Sequence, residues 1–192
     1  MIETNDSQLV QKYLSGDEES LKLLIRNYLK PVFSFVYHFF NNHAEAEDIA
    51  QDVFVKMWKN LKKFDQQKKF KTWLFAIAKN TALDYLKKKK FLLFSEFINA
   101  DGENILEETL TDINPLPDEI FEQADLAQTL EKIFDKLPAH YRVVLDLYYQ
   151  KSFNLREIAE ILGKQKNTIK SWHRRALIKL KEKLSNAPQN NF

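Results

Sequence analysis

Apolar residues recur at three- and four-residue steps along most of this chain, the spacing that places them on one face of an α-helix. Leu9, Tyr13 and Leu14 begin the pattern, and Leu21, Leu24, Ile25 and Tyr28 resume it after the turn-forming Ser15-Gly16-Asp17. Ile49, Val53, Met57 and Leu61 form the stripe of a third helix, and Trp73, Ala76, Ile77, Leu83 and Leu86 that of a fourth. Farther on come Leu130, Ile133, Phe134 and Leu137, then Val143, Val144 and Leu147, then Leu155, Ile158, Ile161 and Leu162. Period-two alternation is nowhere convincing, so the fold class expected is all-α.

Composition agrees. With 3 Gly and 5 Pro in 192 residues, tight hairpin turns have few residues to use, which disfavours a sandwich or barrel. The absence of Cys removes disulfides, thiolate metal sites and cysteine nucleophiles together. The densest apolar run, Val32–Phe40, carries Ser34 and His38 and falls well short of the roughly 20 residues a membrane helix needs. Met1–Ser7 is polar and partly acidic, unlike a secretory signal. A cytoplasmic protein with no membrane insertion is expected.

The formal net charge of +2 conceals a strong segregation. Residues 1–55 carry −5, residues 56–90 carry +10 from twelve lysines and two acids, and residues 91–135 carry −11. Residues 136–162 carry +1 and residues 163–192 carry +7. Two basic blocks therefore flank an acidic one. That acidic block also holds the breakers Asn99-Ala-Asp-Gly102 and Asn114-Pro-Leu-Pro117. The expected organisation is a helical domain over 1–92, an acidic flexible linker over 93–117, and a second helical domain over 118–192. Phe94, Phe97, Ile98, Ile105, Leu106 and Leu110 lie among the linker's acids, which suggests docking rather than an inert spacer. Its charge is also suited to screening the two basic blocks.

In the C-terminal block, Asn154-Leu-Arg-Glu157 reads as a capping box that opens a helix. Ala159, Gly163 four residues on and Ile169 six further have the spacing of a DNA-binding helix-turn-helix: a small residue, a turn glycine and an inward apolar residue. On the second helix Ile169, His173, Ala176 and Leu180 form the inner face. Asn167, Thr168, Lys170, Ser171, Arg174 and Arg175 remain for a groove and its phosphates. A solvated basic face would show the same charge, but not the Ala/Gly/Ile spacing. His173 reads as a core histidine and Trp172 as packing.

Toward the N-terminus, Asp48, Gln51, Asp52 and Val55 share one helical face, which suits a basic, coiled-coil-like surface on a partner. The rival reading is a carboxylate metal site made of Glu45, Glu47, Asp48 and Asp52, but no His stands at ligand spacing on that helix. The twelve lysines that follow are interleaved with Trp58, Phe64, Phe70, Trp73, Phe75 and Tyr85, a composition fit for single-stranded DNA. Trp73 and Phe75 sit beside apolar neighbours and read as core.

Several of these segments resemble one family. Phe153–Ala176 (FNLREIAEILGKQKNTIKSWHRRA) is similar to region 4 of the bacterial RNA polymerase sigma factors, which reads the −35 promoter element. Leu9–Tyr28, Ala46–Trp58 (AEDIAQDVFVKMW) and Phe70–Lys90 (FKTWLFAIAKNTALDYLKKKK) are similar to region 2. Two regions in this order, with no third domain between, resemble the extracytoplasmic-function (ECF) group. Trp172, His173 and Gln165 depart from the residues usual in region 4.

The resemblance implies a transcription initiation factor rather than an enzyme, with no cofactor, no metal and no small-molecule substrate. Its partners would be RNA polymerase core, promoter DNA and an anti-sigma factor. Asp48, Gln51, Asp52 and Val55 would meet the clamp of the polymerase's largest subunit. The loop Phe64–Lys71 would capture a flipped base. Lys68, Lys69, Lys71, Lys79, Asn80, Asp84, Lys87 and Lys88 would face the −10 element, with Asn80 as a direct reader. Asn167, Thr168, Lys170, Ser171, Arg174 and Arg175 would face the −35 element. Rival classes are a stand-alone helix-turn-helix regulator, a metal-dependent nuclease, and a core-binding regulator that has lost promoter recognition.

Overall fold

The computed structural model describes residues 3–95 and 133–185, and within them every regular element is helical. The chain falls into two compact units. The linker expected over 93–117 lies outside the described residues, except that the fourth helix continues through residues 93–95.

The N-terminal helices are α1 (Glu3–Leu14), α2 (Glu18–Phe40), α3 (His43–Asn60) and α4 (Phe70–Ser95). Local chemistry sets their ends. At Gly16 the backbone adopts φ +106, open to glycine and strained for other residues. Asp17 then caps α2, accepting from the Glu19 amide at 3.1 Å and the Ser20 hydroxyl at 2.7 Å. The Ser20 hydrogen bond, ahead of the backbone bonds, holds the Asp17 carboxyl below its usual range. At the other end Asn41 takes a left-handed conformation (φ 49), and Asn42 caps α3 by accepting from the Glu45 amide at 3.1 Å.

The core of this bundle is aromatic. Phe35, Phe40 and Phe75 are fully buried, and Phe35 meets Phe39 and Phe75 edge-on at 5.3 and 5.1 Å. Ile49, Val53, Met57 and Leu61 are all buried, as their spacing predicts. On α4 the helix forms as expected, but its buried face is Phe70, Leu74, Ala78 and Ala82 with Phe75, while Trp73, Ile77, Leu83 and Leu86 are half-buried. Small alanines let α4 approach its neighbours closely, and the larger residues on its flanks seal the seam. From α1, Asp6 accepts a buried hydrogen bond from the Tyr28 hydroxyl of α2.

The C-terminal helices are α5 (Ala139–Leu145), which continues as a π-turn over Asp146–Gln150, then α6 (Leu155–Leu162) and α7 (Lys166–Ser185). Leu137, Tyr141 and Leu145 pack with Ala176 of α7, and Phe134, Trp172 and Leu180 close around them. Buried Arg142 donates to the carbonyls of Asp135 and Leu137 at 2.8 and 2.7 Å, satisfying backbone groups ahead of α5. Buried Asp146 lies 3.3 Å from the Lys151 ammonium.

Candidate partner and nucleic-acid surfaces

Burying Ala46, Ile49, Ala50, Val53 and Met57 turns the opposite face of α3 outward. Asp48, Gln51, Asp52 and Val55 are all exposed, Val55 at 44%. One further turn along stands Trp58, 52% exposed, whose indole N–H donates to the Tyr13 hydroxyl of α1 at 2.8 Å. Trp58 and Tyr13 thus extend the face beyond the four residues named from sequence. The spacing of Trp58 after Val55 was a usable signal; its link to α1 was not.

The other acids of α3 diverge from this face. Glu45 pairs with Lys89 of α4 at 2.6 Å; contrary to the sequence expectation, His43 does stand on this helix, as its first residue, with its ring 3.5 Å from Glu47 one turn on. Among the described residues no group of three His, Cys, Asp or Glu side chains is placed to hold a metal ion.

The loop between α3 and α4 is built on two aromatic posts. Phe64 and Phe70 are buried, their rings perpendicular at 5.8 Å, and Trp73 and Tyr28 complete the cluster. Between the posts Asp65 makes an Asx-type turn, accepting from the Gln67 amide at 3.0 Å, while Gln66 accepts from Gln11 of α1 at 3.1 Å. Lys68 and Lys69 are held exposed there, and Lys71 is half-buried. The loop is thus a tethered basic turn.

Along α4, Asn80, Asp84, Lys87 and Lys88 are exposed, whereas Lys79 is half-buried and Thr81 is buried. Lys79 donates to the Asn80 side-chain oxygen at 3.1 Å, which leaves the Asn80 amino group as a donor. Asp84 is accompanied by Lys56 of α3, 3.9 Å away, and the same ammonium donates to Thr81 Oγ1 at 3.2 Å. Sequence reading passed over Lys56, because only the pairing of α3 with α4 brings it to this surface.

In the C-terminal unit the reciprocal capping box is present in full. Asn154 accepts from the Arg156 and Glu157 amides at 3.0 and 3.1 Å, and the Glu157 carboxylate accepts the Asn154 amide at 2.9 Å. Ala159 and Ile169 are buried, and Gly163 takes φ +64, the left-handed turn conformation its spacing predicts. Asn167, Lys170, Ser171, Arg174 and Arg175 are exposed on α7, and Thr168 is half-buried. Trp172 packs near the His140 ring at 4.9 Å. His173 is half-buried rather than fully in the core, between the rings of Tyr148 at 4.6 Å and Tyr149 at 5.7 Å. Desolvation lowers its pKa, and its Nε2 is buried without a hydrogen-bond partner.

No described helix is long and apolar enough to cross a membrane.

Comparison with known proteins agrees with this arrangement at both ends of the chain. Residues 24–91 match the family described as Sigma-70 region 2, and residues 127–180 match Sigma-70, region 4. The ECF RNA polymerase sigma factor SigW of Bacillus subtilis is 32% identical over 84% of this chain and 87% of its own length. The RNA polymerase sigma-H factor of Pseudomonas aeruginosa is 26% identical over 89% of each chain. Among solved structures, the sigma factor RpoE in complex with the anti-sigma factor NepR from Bartonella quintana superposes with a TM-score of 0.64. It is 26% identical and covers 85% of this chain and 96% of its own. The all-helical bundle, the capped helix-turn-helix and these matches together place this chain in the ECF family of RNA polymerase sigma factors, the transcription initiation factors that carry regions 2 and 4.

Proposed function

We propose that this sigma factor acts through three separate surfaces. The exposed α3 face of Asp48, Gln51, Asp52 and Val55 binds the clamp of the polymerase's largest subunit. The loop and α4 surface of Lys68, Lys69, Lys71, Lys79, Asn80, Asp84, Lys87 and Lys88 meets the −10 element and the strand displaced on melting. Asn167, Thr168, Lys170, Ser171, Arg174 and Arg175 on α7 meet the −35 element. The observation that carries the reading is the division of labour between two adjacent helices. On α3 the apolar side is buried and an acid–amide face is left outward, while α4 presents lysines and an amide.

No covalent step belongs to this role. Melting is driven by capture of displaced bases and by phosphate neutralisation, and the protein works in the cytoplasm. The partition into 1–92, 93–117 and 118–192 follows from the same reading, with the acidic linker screening the basic surfaces before core is bound. Relatives solved with anti-sigma factors support an antagonist of that class as a further partner.

The deciding experiment adds purified protein to core polymerase and measures promoter-dependent initiation on a template library randomised over both elements. A sigma factor confers initiation at a defined subset of templates. A stand-alone regulator confers none, a nuclease cuts DNA without polymerase, and a core-binding regulator associates without selecting a promoter.

A further inference from the structure

Asp84 is the one acid on α4, a helix with six lysines, four of them (Lys71, Lys79, Lys87 and Lys88) assigned above to DNA. A carboxylate there opposes incoming phosphates unless something compensates it. Lys87 and Lys88 follow it at helical spacing, yet among the described residues the cation within ion-pair distance is Lys56, contributed by α3.

That lysine is not a loose surface side chain. Its ammonium donates to Thr81 Oγ1, and the Thr81 hydroxyl proton is itself committed to the Ile77 carbonyl at 2.9 Å. The Thr81 lone pairs are therefore aimed at Lys56. Thr81 is only 4% exposed, so the seat is fixed by packing. A cation held this way sits beside Asp84, while Asp84 alone, 59% exposed, would otherwise swing toward solvent and DNA.

We infer that Lys56 is a positioning residue of the −10 surface: seated on Thr81, it neutralises Asp84 within that surface, so that Asn80, Asp84 and the α4 lysines approach DNA without an uncompensated negative charge. This rests on the proposed function and extends it to a residue outside the three surfaces. It also ties the helix that binds polymerase to the helix that meets DNA, since Lys56 lies one turn beyond Asp52.

The test uses holoenzyme and a promoter selected from the randomised library, with affinity measured across a salt series. Lys56→Ala is expected to weaken promoter binding about five- to tenfold at low salt. The deficit should shrink as salt rises, because exposed charges more than about a Debye length apart are screened. Lys59→Ala removes the same charge from an exposed site on α3 and should cost no more than about twofold. Lys56→Arg should retain binding, and Thr81→Val should reproduce part of the loss. Lys56→Ala should cost several-fold less when introduced into an Asp84→Asn background than into the parent, a coupling that damage to the fold would not show. The inference is overturned if Lys56→Ala costs as much in the Asp84→Asn background as in the parent, if Lys59→Ala is equally defective, or if the deficit ignores salt. Failure of the parent holoenzyme to select any promoter would defeat the proposed function instead.

Discussion

The two basic blocks of this protein carry similar charge but spend it differently. In the N-terminal block Lys56 is seated on Thr81 beside Asp84, Lys89 pairs with Glu45 at 2.6 Å, and Lys79 bonds Asn80. On α7, Lys170, Arg174 and Arg175 are exposed, and no acid of the described residues pairs with them. The first block shapes a surface with part of its charge, whereas the second presents its charge to solvent. That difference suits the proposed roles, in which the first segment accepts unstacked bases in defined positions and the second helix lies along duplex phosphates.

The sharpest way to break the comparison is to separate polymerase binding from DNA binding. Asp52→Lys reverses the charge at the centre of the exposed α3 face. It is expected to lower core affinity at least a hundredfold in a direct titration, while Arg174→Ala leaves core affinity unchanged. Equal loss in both variants would show that the surfaces are not distinct.

Salt dependence sharpens it further. Arg174→Ala should weaken binding to −35 duplex about tenfold, and if the guanidinium touches phosphate it should reduce the slope of log affinity against log salt by about 0.9. Lys89→Ala in the first block should change the corresponding slope far less, because Glu45 already neutralises that lysine. Equal slopes for the two variants would mean that the Glu45 pair dissolves on binding.

Much of this was legible in the sequence, for identifiable physical reasons. Helix positions follow from periodic burial, and the capping box and the Gly163 turn depend on neighbours within a few residues. The face of α3 could be read because its buried stripe, Ile49 to Leu61, is regular enough to fix the opposite side. What could not be read depends on pairing between helices. The buried register of α4 is set by how closely Ala78 and Ala82 pack, so its larger residues misled the stripe. Lys56 and Thr81 are twenty-five residues apart and meet only because α3 lies along α4. Phe64 and Phe70 look like interleaved aromatics in a basic loop until the fold buries both as its posts.

A smaller effect tests whether the C-terminal unit depends on local capping more than on its modest core. Asn154→Ala removes the side-chain acceptor for two backbone amides and leaves only the backbone amide of residue 154 donating to Glu157. It should cost about 1 kcal/mol, seen as a lowered melting temperature in that unit. Asn42→Ala removes the corresponding cap of α3 and should cost a similar amount, but against a bundle with a larger aromatic core. The same loss should therefore unfold a larger fraction of the helix-turn-helix than of the bundle, as measured by hydrogen exchange in α6 and α3.

The smallest expected effect concerns His173, which has no counterpart in the N-terminal surfaces. Desolvation between Tyr148 and Tyr149 lowers its pKa in the folded protein below the ordinary value of 6.5. Above that value folded and unfolded chains both hold a neutral ring, so stability does not vary with pH through this group. Below it the unfolded chain takes up a proton that the folded one resists, so stability falls as pH drops and levels off below the folded pKa. The C-terminal unit should therefore melt earlier at pH 5.5 than at pH 7.5, and His173→Gln should flatten the dependence there. The ring stands one residue before Arg174, so protonation also places a second cation within a turn of the proposed −35 surface. If His173→Gln leaves the pH profile of melting unchanged, the buried ring is not its source.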